Sequence, residues 1–155
     1  MADHAVLLEP GEGRSASLRG TEVNFKVESD QAEGASCIEF LAAPGFDTGV
    51  HVHKRLEETF YVLEGDFEFQ AGDQSFHASP GACIFVPPGV PHSFGNRTET
   101  PAKLLLIMSP PTHDRYFDEL AKILAADGPP DSDAIAALRE RYDTEQLSSL
   151  AATRS

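Results

Sequence analysis

Between residues 21 and 108 the chain alternates short apolar–polar segments with turns built from glycine and proline. In TEVNFKV, for example, Val23, Phe25 and Val27 are separated by polar residues, which is the period of a half-buried β-strand. Turn sequences such as PGFDTG, AGDQ and PPGVP separate the segments. Many short strands joined by tight turns predict an all-β antiparallel sandwich or barrel. We predict further strands over residues 36–43, 50–53, 58–63, 67–71, 74–78, 82–86, 92–95 and 103–108.

The period changes from two to that of a helix after residue 109. HDRYFDELAKILAA places an apolar stripe on one face, and DGPPDSD ends this helix and caps a second one, AIAALRERYDTEQL. We therefore predict two C-terminal helices packed on the β-structure. The predicted organisation is an N-terminal arm over residues 1–20, a β-barrel over residues 21–110 and a helical extension over residues 111–155.

Composition and charge exclude several classes of function. With 155 residues the chain has the size of one domain, and its formal net charge of −13 would repel a phosphate backbone. No apolar run approaches the ~20 residues that span a bilayer, and no signal peptide is visible, so we expect a cytoplasmic protein without nucleic-acid or membrane partners. Cys37 and Cys83 lie in apolar segments and are expected to be buried free thiols.

Two histidines and two glutamates stand close together in HVHKRLEETFYVLEGD. His51 and His53 are separated by one residue, so their side chains share one face of a strand. For the glutamates, strand parity groups Glu58 with Phe60 and Glu57 with Tyr61. Because both groups include residues that suit an interior, parity leaves open which glutamate accompanies the histidines.

Two stretches of the sequence carry glycine, histidine, glutamate and proline at fixed spacing. Each residue type is individually uncommon, so ten agreeing positions are far beyond coincidence. The first stretch is Gly45, five residues, His51-Val52-His53, four residues, Glu58, six residues and Gly65; the second is Gly81, five residues, Pro87-Pro88-Gly89, two residues, His92, three residues and Asn96.

This pair of stretches resembles the two signature motifs of the cupin superfamily. The resemblance implies a double-stranded β-helix, or jelly-roll barrel, here with C-terminal helices. The six-residue spacing to Gly65 matches the family motif from Glu58 and not from Glu57, so the resemblance assigns Glu58 to the metal and Glu57 to solvent. The metal ligands that the resemblance implies are His51, His53, Glu58 and His92.

Three imidazoles and one carboxylate form a site for one divalent metal ion. With two coordination positions left, the set suits Fe, Mn, Ni, Co or Zn. A structural zinc site would be closed and rich in thiolates, which this set is not. An open site inside a barrel predicts a reaction centre or a ligand-binding centre.

The resemblance covers several functions. We predict a dioxygenase that acts on an aromatic, phenolic or enolic small molecule with the metal and O2, similar to the quercetin-dioxygenase-like single-domain cupins. In that reading Glu58 is both ligand and catalytic residue, because it accepts the substrate proton. The alternatives are a redox-neutral isomerase, cyclase or dehydratase of a small oxygenated metabolite, and a non-catalytic small-molecule-binding cupin.

Two further expectations concern the pocket and the assembly. No arginine or lysine is expected to point inward near the ligands, and this absence favours a neutral or phenolic substrate. His113 is expected to be exposed to solvent. Barrels of this type expose an edge strand, so we predict a homodimer that exchanges the strand around residues 23–27. The predicted pocket-lining residues are Phe40, Phe60, Phe94, Leu106 and Met108.

Overall fold

A computed structural model describes residues 1–148 of the chain, and in this part it contains eleven strands and two helices. The strands are β1 Ser15–Leu18, β2 Thr21–Val27, β3 Ser36–Ala42, β4 His51–Val52, β5 Glu57–Glu64, β6 Phe67–Ala71, β7 Gln74–Ala78, β8 Cys83–Val86, β9 His92–Gly95, β10 Ala102–Ser109 and β11 Glu145–Gln146. The helices are α1 Asp114–Leu124 and α2 Ser132–Arg141.

The strands form two antiparallel sheets. One has the order β1-β2-β3-β10-β5-β8 and the other the order β11-β4-β9-β6-β7. Within residues 1–148 no strand of one sheet pairs with a strand of the other. The predicted all-β jelly roll with C-terminal helices is therefore confirmed, although the two sheets do not close into one continuous barrel.

The core between the two sheets is aromatic. Phe60 on β5 lies 5.1 Å, centroid to centroid, from both Phe69 on β6 and Phe94 on β9. Phe40 on β3 lies 5.5 Å from Phe94 in an edge-on arrangement. Such contacts contribute about 0.5–1.5 kcal/mol each beyond the burial of their area. They fix the distance between the sheets on which the metal-site residues stand.

Gly65, at the turn between β5 and β6, is required by its surroundings. Its φ angle is +68°, and a Cβ at this position would lie 2.8 Å from the Cβ of Ala102. Only glycine combines the left-handed conformation with this close approach. The turn therefore fixes where the strand that carries Glu58 ends.

The C-terminal segment differs from its prediction at one end. Helix α2 was predicted to continue to residue 147, but it ends at Arg141. Asp143 adopts a φ of +52°, and Glu145–Gln146 then pairs with β4 as β11. Pairing of Glu145–Gln146 with β4 therefore outweighs the helical periodicity of this part of the sequence. At its start, α2 is capped by Asp131, whose Oδ1 accepts a hydrogen bond from the backbone N–H of Ala134 at 3.0 Å.

The structure bears on the predicted strand exchange, but it does not test the homodimer or the domain boundaries. Strand β2 is hydrogen-bonded to β1 and β3 of its own chain, so it is an inner strand, and the outer strands of that sheet are β1 and β8. The homodimer stays a prediction, as does the division at residues 20 and 110. The last residues of the predicted extension, 149–155, lie outside the described part.

The prediction of two buried thiols was wrong, because Cys37 is half-buried and Cys83 is exposed. On β8 the buried residues are Ile84 and Val86, so strand alternation turns Cys83 outward. Neither helix within residues 1–148 has the length and apolar character that a membrane span requires.

Candidate metal centre

Four buried side chains converge between the two sheets. His51 lies on β4, His53 directly follows it, Glu58 lies on β5 and His92 lies on β9. One ligand atom from each falls within 4.8 Å of all the others. His51 and His92 are brought together because they are paired in the β4–β9 register. Glu57 is exposed on the opposite face of β5.

Two of the imidazoles are oriented by carbonyl groups on their own segments. The Nδ1 of His51 lies 2.8 Å from the carbonyl oxygen of Gly49, and the Nδ1 of His92 lies 2.9 Å from that of Val90. A carbonyl oxygen can only accept, so each Nδ1 carries the hydrogen. In the neutral ring the lone pair is then on Nε2, which points into the cluster.

The third imidazole is oriented from a distant part of the chain. The Nδ1 of His53 donates to the carbonyl oxygen of Asp143 at 2.8 Å, and the Thr144 hydroxyl lies 3.1 Å from the same nitrogen. The Asp143 carboxylate accepts the backbone N–H groups of residues 54–56 at 3.0, 2.8 and 2.9 Å. Burial opposes ionisation of Asp143, but these donors outweigh it and hold the pKa of the carboxyl below its usual range.

The donor set fits a metal cation. The Nε2 of His92 lies 2.7 Å from Oε2 of Glu58, and that of His53 lies 3.4 Å from the same oxygen without a hydrogen bond of good geometry. With each Nδ1 protonated, lone pairs and a carboxylate face one another, which is stable only with a cation or a proton between them.

The charge states of Glu58 and His51 also suit a metal. Burial would raise the pKa of Glu58, but the neighbouring His53 and His92 outweigh it and hold that pKa well below the usual range. Burial and the neighbouring His92 hold the pKa of His51 well below its usual value. An ionised carboxylate and neutral imidazoles are the forms that bind metals. The four side chains can therefore hold one divalent ion, whose identity they leave open.

A cavity of about 700 Å³ opens on this cluster. His51, His53 and Glu58 line it, as do three of the five residues predicted for the pocket wall, namely Phe40, Phe94 and Leu106. The other two, Phe60 and Met108, are fully buried in the core and do not line the cavity. The ring of Phe60 packs against Phe69 and Phe94, and Met108 lies opposite Glu58 and Ser36 in the sheet.

The C-terminal extension adds residues to the cavity that the sequence analysis missed. His113 was predicted to be exposed, but it is only 4% exposed. Its ring centroid lies 5.2 Å from that of His53 and 4.5 Å from that of Tyr116, so the predicted exposure was wrong. Burial, reinforced by His53, lowers the pKa of His113 to about 3. A signal was present, since His113 shares a helical face with Tyr116 and Phe117.

The expectation that no arginine points inward was also wrong. Arg139 on α2 is buried and lines the cavity. Its side chain lies on the buried face of α2 with Ile135 and Leu138, at helical spacing. A charged residue on an otherwise apolar helical face was the available signal.

Comparisons with known proteins agree with this fold and site. Residues 39–108, which include all four cluster residues, match the family Cupin_2, described as cupin domain. The chain is 33% identical over 89 residues to the uncharacterized protein MJ1618 of Methanocaldococcus jannaschii, which is 57% of this chain and 68% of that protein. The chain belongs to the cupin superfamily.

Two solved structures resemble the fold. KdgF from Halomonas sp. has a TM-score of 0.65 at 18% identity, over 72% of this chain and 99% of that chain. The polyketide cyclase RemF from Streptomyces resistomycificus has a TM-score of 0.61 at 24% identity, over 68% of this chain and 80% of that chain. At these identities the likeness concerns the fold alone.

Proposed function

We propose that this cupin is a metal-dependent dioxygenase that acts on an aromatic, phenolic or enolic small molecule. The observation that carries the proposal is the placement of His51, His53 and Glu58 on the wall of a cavity of about 700 Å³. A closed structural site would have no such access. The cavity has the volume of a small-molecule site.

The residues of the chain have defined tasks in this proposal. A divalent metal held by His51, His53, Glu58 and His92 would supply Lewis acidity toward an enol or phenol oxygen and the redox chemistry that O2 requires. Glu58 lines the cavity, and in this proposal one of its carboxylate oxygens accepts the substrate proton. The rings of Phe40 and Phe94 offer flat apolar surface to an aromatic substrate and exclude water.

A redox-neutral reaction is a second candidate because of His113. This imidazole lies in the cavity beside Tyr116, outside the four-residue cluster, and its low pKa keeps it neutral. A neutral imidazole can donate its N–H to a substrate oxygen and stabilise the charge that develops there, as an isomerase, cyclase or dehydratase requires without O2.

Metal reconstitution with oxygen measurements separates the two candidates. Chelator-treated protein is loaded separately with Fe, Mn, Co, Ni or Zn and incubated with a flavonol or a catechol in an oxygen electrode, followed by mass spectrometry. The proposal predicts O2 uptake and a ring-opened product. Conversion that is equally fast under anaerobic conditions with zinc would support the second candidate. Recovery of unchanged probe without O2 uptake, with every metal, would contradict the dioxygenase.

A further inference from the structure

One cationic side chain in the cavity has an unused donor. Arg139 is 7% exposed, and its Nε donates to the Tyr116 hydroxyl at 3.0 Å. Its Nη2 donates to the carbonyl oxygen of Thr48 at 3.3 Å. Within residues 1–148, Nη1 has no hydrogen-bond partner. Arg139 is one of the residues that line the cavity, so a molecule bound there lies beside this side chain.

The charge of Arg139 is also uncompensated. None of the carboxylates in the described part of the chain forms an ion pair with it. A buried cation without a counter-charge is strongly destabilising, so it is expected where an anion binds. Both of its existing acceptors, a carbonyl and a hydroxyl, are neutral.

Arg19, which also lines the cavity, provides the contrast. It is exposed, and its guanidinium donates to the carbonyl oxygens of Leu124, Ala126 and Gly128 at 2.8–2.9 Å, where helix α1 ends. Arg19 therefore has a structural task. Arg139 carries the same guanidinium group, but its Nη1 has no hydrogen-bond partner in the described part of the chain.

We propose that the cavity takes a substrate with a carboxylate group, and that Arg139 binds this carboxylate. The planar guanidinium suits a carboxylate, and the Tyr116 hydroxyl, which accepts from Nε, retains its own O–H as a second donor. One guanidinium balances one negative charge. A carboxylate carries one negative charge, whereas a phosphate carries more than one. That the reacting end of the substrate points toward Glu58 rests on the proposed function. The contact between Arg139 and the substrate carboxylate does not depend on it.

The test compares two probes of nearly the same shape, one anionic and one neutral. 4-Hydroxybenzoate and 4-hydroxybenzamide are titrated into zinc-loaded protein by isothermal calorimetry. The wild type is expected to bind the carboxylate about 10- to 100-fold more tightly than the amide, which is the usual strength of charged hydrogen bonds. Arg139→Gln is expected to abolish this preference. Arg141→Gln is the matched control, because Arg141 lies on the same helix but is exposed and paired with Glu119 at 2.8 Å.

A second variant covers the case in which Arg139→Gln does not fold. Tyr116→Phe removes one hydroxyl and keeps the ring, so it should fold and lower the preference about 3- to 10-fold. No preference in the wild type, an undiminished preference in Arg139→Gln or in Tyr116→Phe, or tighter binding of inorganic phosphate than of 4-hydroxybenzoate would overturn the proposal.

Failure of the dioxygenase is measured separately. The same titration on His51→Ala, which lacks a metal ligand, is expected to retain the carboxylate preference, since Arg139 is unchanged. A retained preference without O2 uptake by any metal-loaded protein would leave Arg139 as a carboxylate site and reject the dioxygenase. O2 uptake without any preference would reject the carboxylate site alone.

Discussion

The three imidazoles of the metal centre are oriented in two different ways. His51 and His92 donate to carbonyl groups two residues before them, at 2.8 and 2.9 Å. His53 donates to the carbonyl oxygen of Asp143, ninety residues away in the sequence. The first two orientations are fixed within the segment that matches the cupin family, whereas the third depends on the C-terminal extension.

Two regions of the molecule therefore contribute to the metal centre in different ways. The cupin segment supplies the four cluster residues, as residues 39–108 contain all of them. The extension supplies the orientation of His53 and part of the cavity wall, including His113, Tyr116 and Arg139. Docking of the extension and metal affinity should therefore be coupled through His53, whereas the Nδ1 hydrogen bonds of His51 and His92 do not involve the extension.

The largest effect is expected when a cluster residue is lost. Glu58→Gln should lower metal affinity by at least about 100-fold, because it removes the anionic ligand, whose loss should exceed the 10- to 100-fold cost of losing a supporting residue. Glu57→Gln, the neighbouring exposed residue, is the matched control and should leave affinity unaltered. Competition with a chromophoric chelator measures both. A loss of metal affinity in Glu57→Gln alone would make Glu57 the carboxylate ligand. Equal losses in the two variants would also contradict the assignment of Glu58.

A smaller loss is expected from Asp143→Ala, which acts only on the His53 side. The substitution removes three hydrogen bonds to residues 54–56 and places alanine at a φ of +52°. Metal affinity should fall about 10- to 100-fold. The free energy of unfolding should fall by about 1–2 kcal/mol, measured by denaturant titration.

The control for Asp143→Ala is a destabilising change elsewhere in the extension. Asp131→Ala removes the cap of α2 and should also cost about 1 kcal/mol, but Asp131 does not contact His53. Its metal affinity should equal that of the wild type. If Asp131→Ala lost as much metal affinity as Asp143→Ala, the loss would reflect stability rather than orientation of the imidazole.

The smallest effect is expected from Thr144→Val. This substitution keeps the shape of the side chain and removes the hydroxyl that lies 3.1 Å from Nδ1 of His53. The Asp143 carbonyl at 2.8 Å remains, so metal affinity should change by less than about threefold. Calorimetric titration with Zn or Co measures the change. A loss comparable with that of Asp143→Ala would make the hydroxyl the main partner of His53.

Features that depend on local period were predictable from the sequence. The nine predicted strands occur within a few residues of their expected positions, because alternating burial and turn chemistry are local properties. The four cluster residues were implied by the resemblance to the cupin motifs, although strand parity could not separate Glu57 from Glu58. In the structure Glu58 shares the buried face with Phe60 and Val62.

Features that depend on docking were not predictable in this way. Helix α2 ends early because Glu145–Gln146 pairs with β4, a partner almost a hundred residues away. His113 and Arg139 were missed because helical period groups residues on a face but does not tell what that face covers. In this fold these helical faces line a cavity, so two polar residues that would suit a surface are buried.

Anomalous diffraction from crystals of metal-loaded protein, recorded at the absorption edge of the metal, tests the metal centre most directly. One ion per chain is expected, bound by Nε2 of His51, His53 and His92 and by a Glu58 carboxylate oxygen at about 2.0–2.2 Å. The Nδ1 atoms of the three imidazoles should keep their carbonyl partners. An ion at any other place, or one bound by Nδ1 of these histidines, would contradict the centre described for this chain.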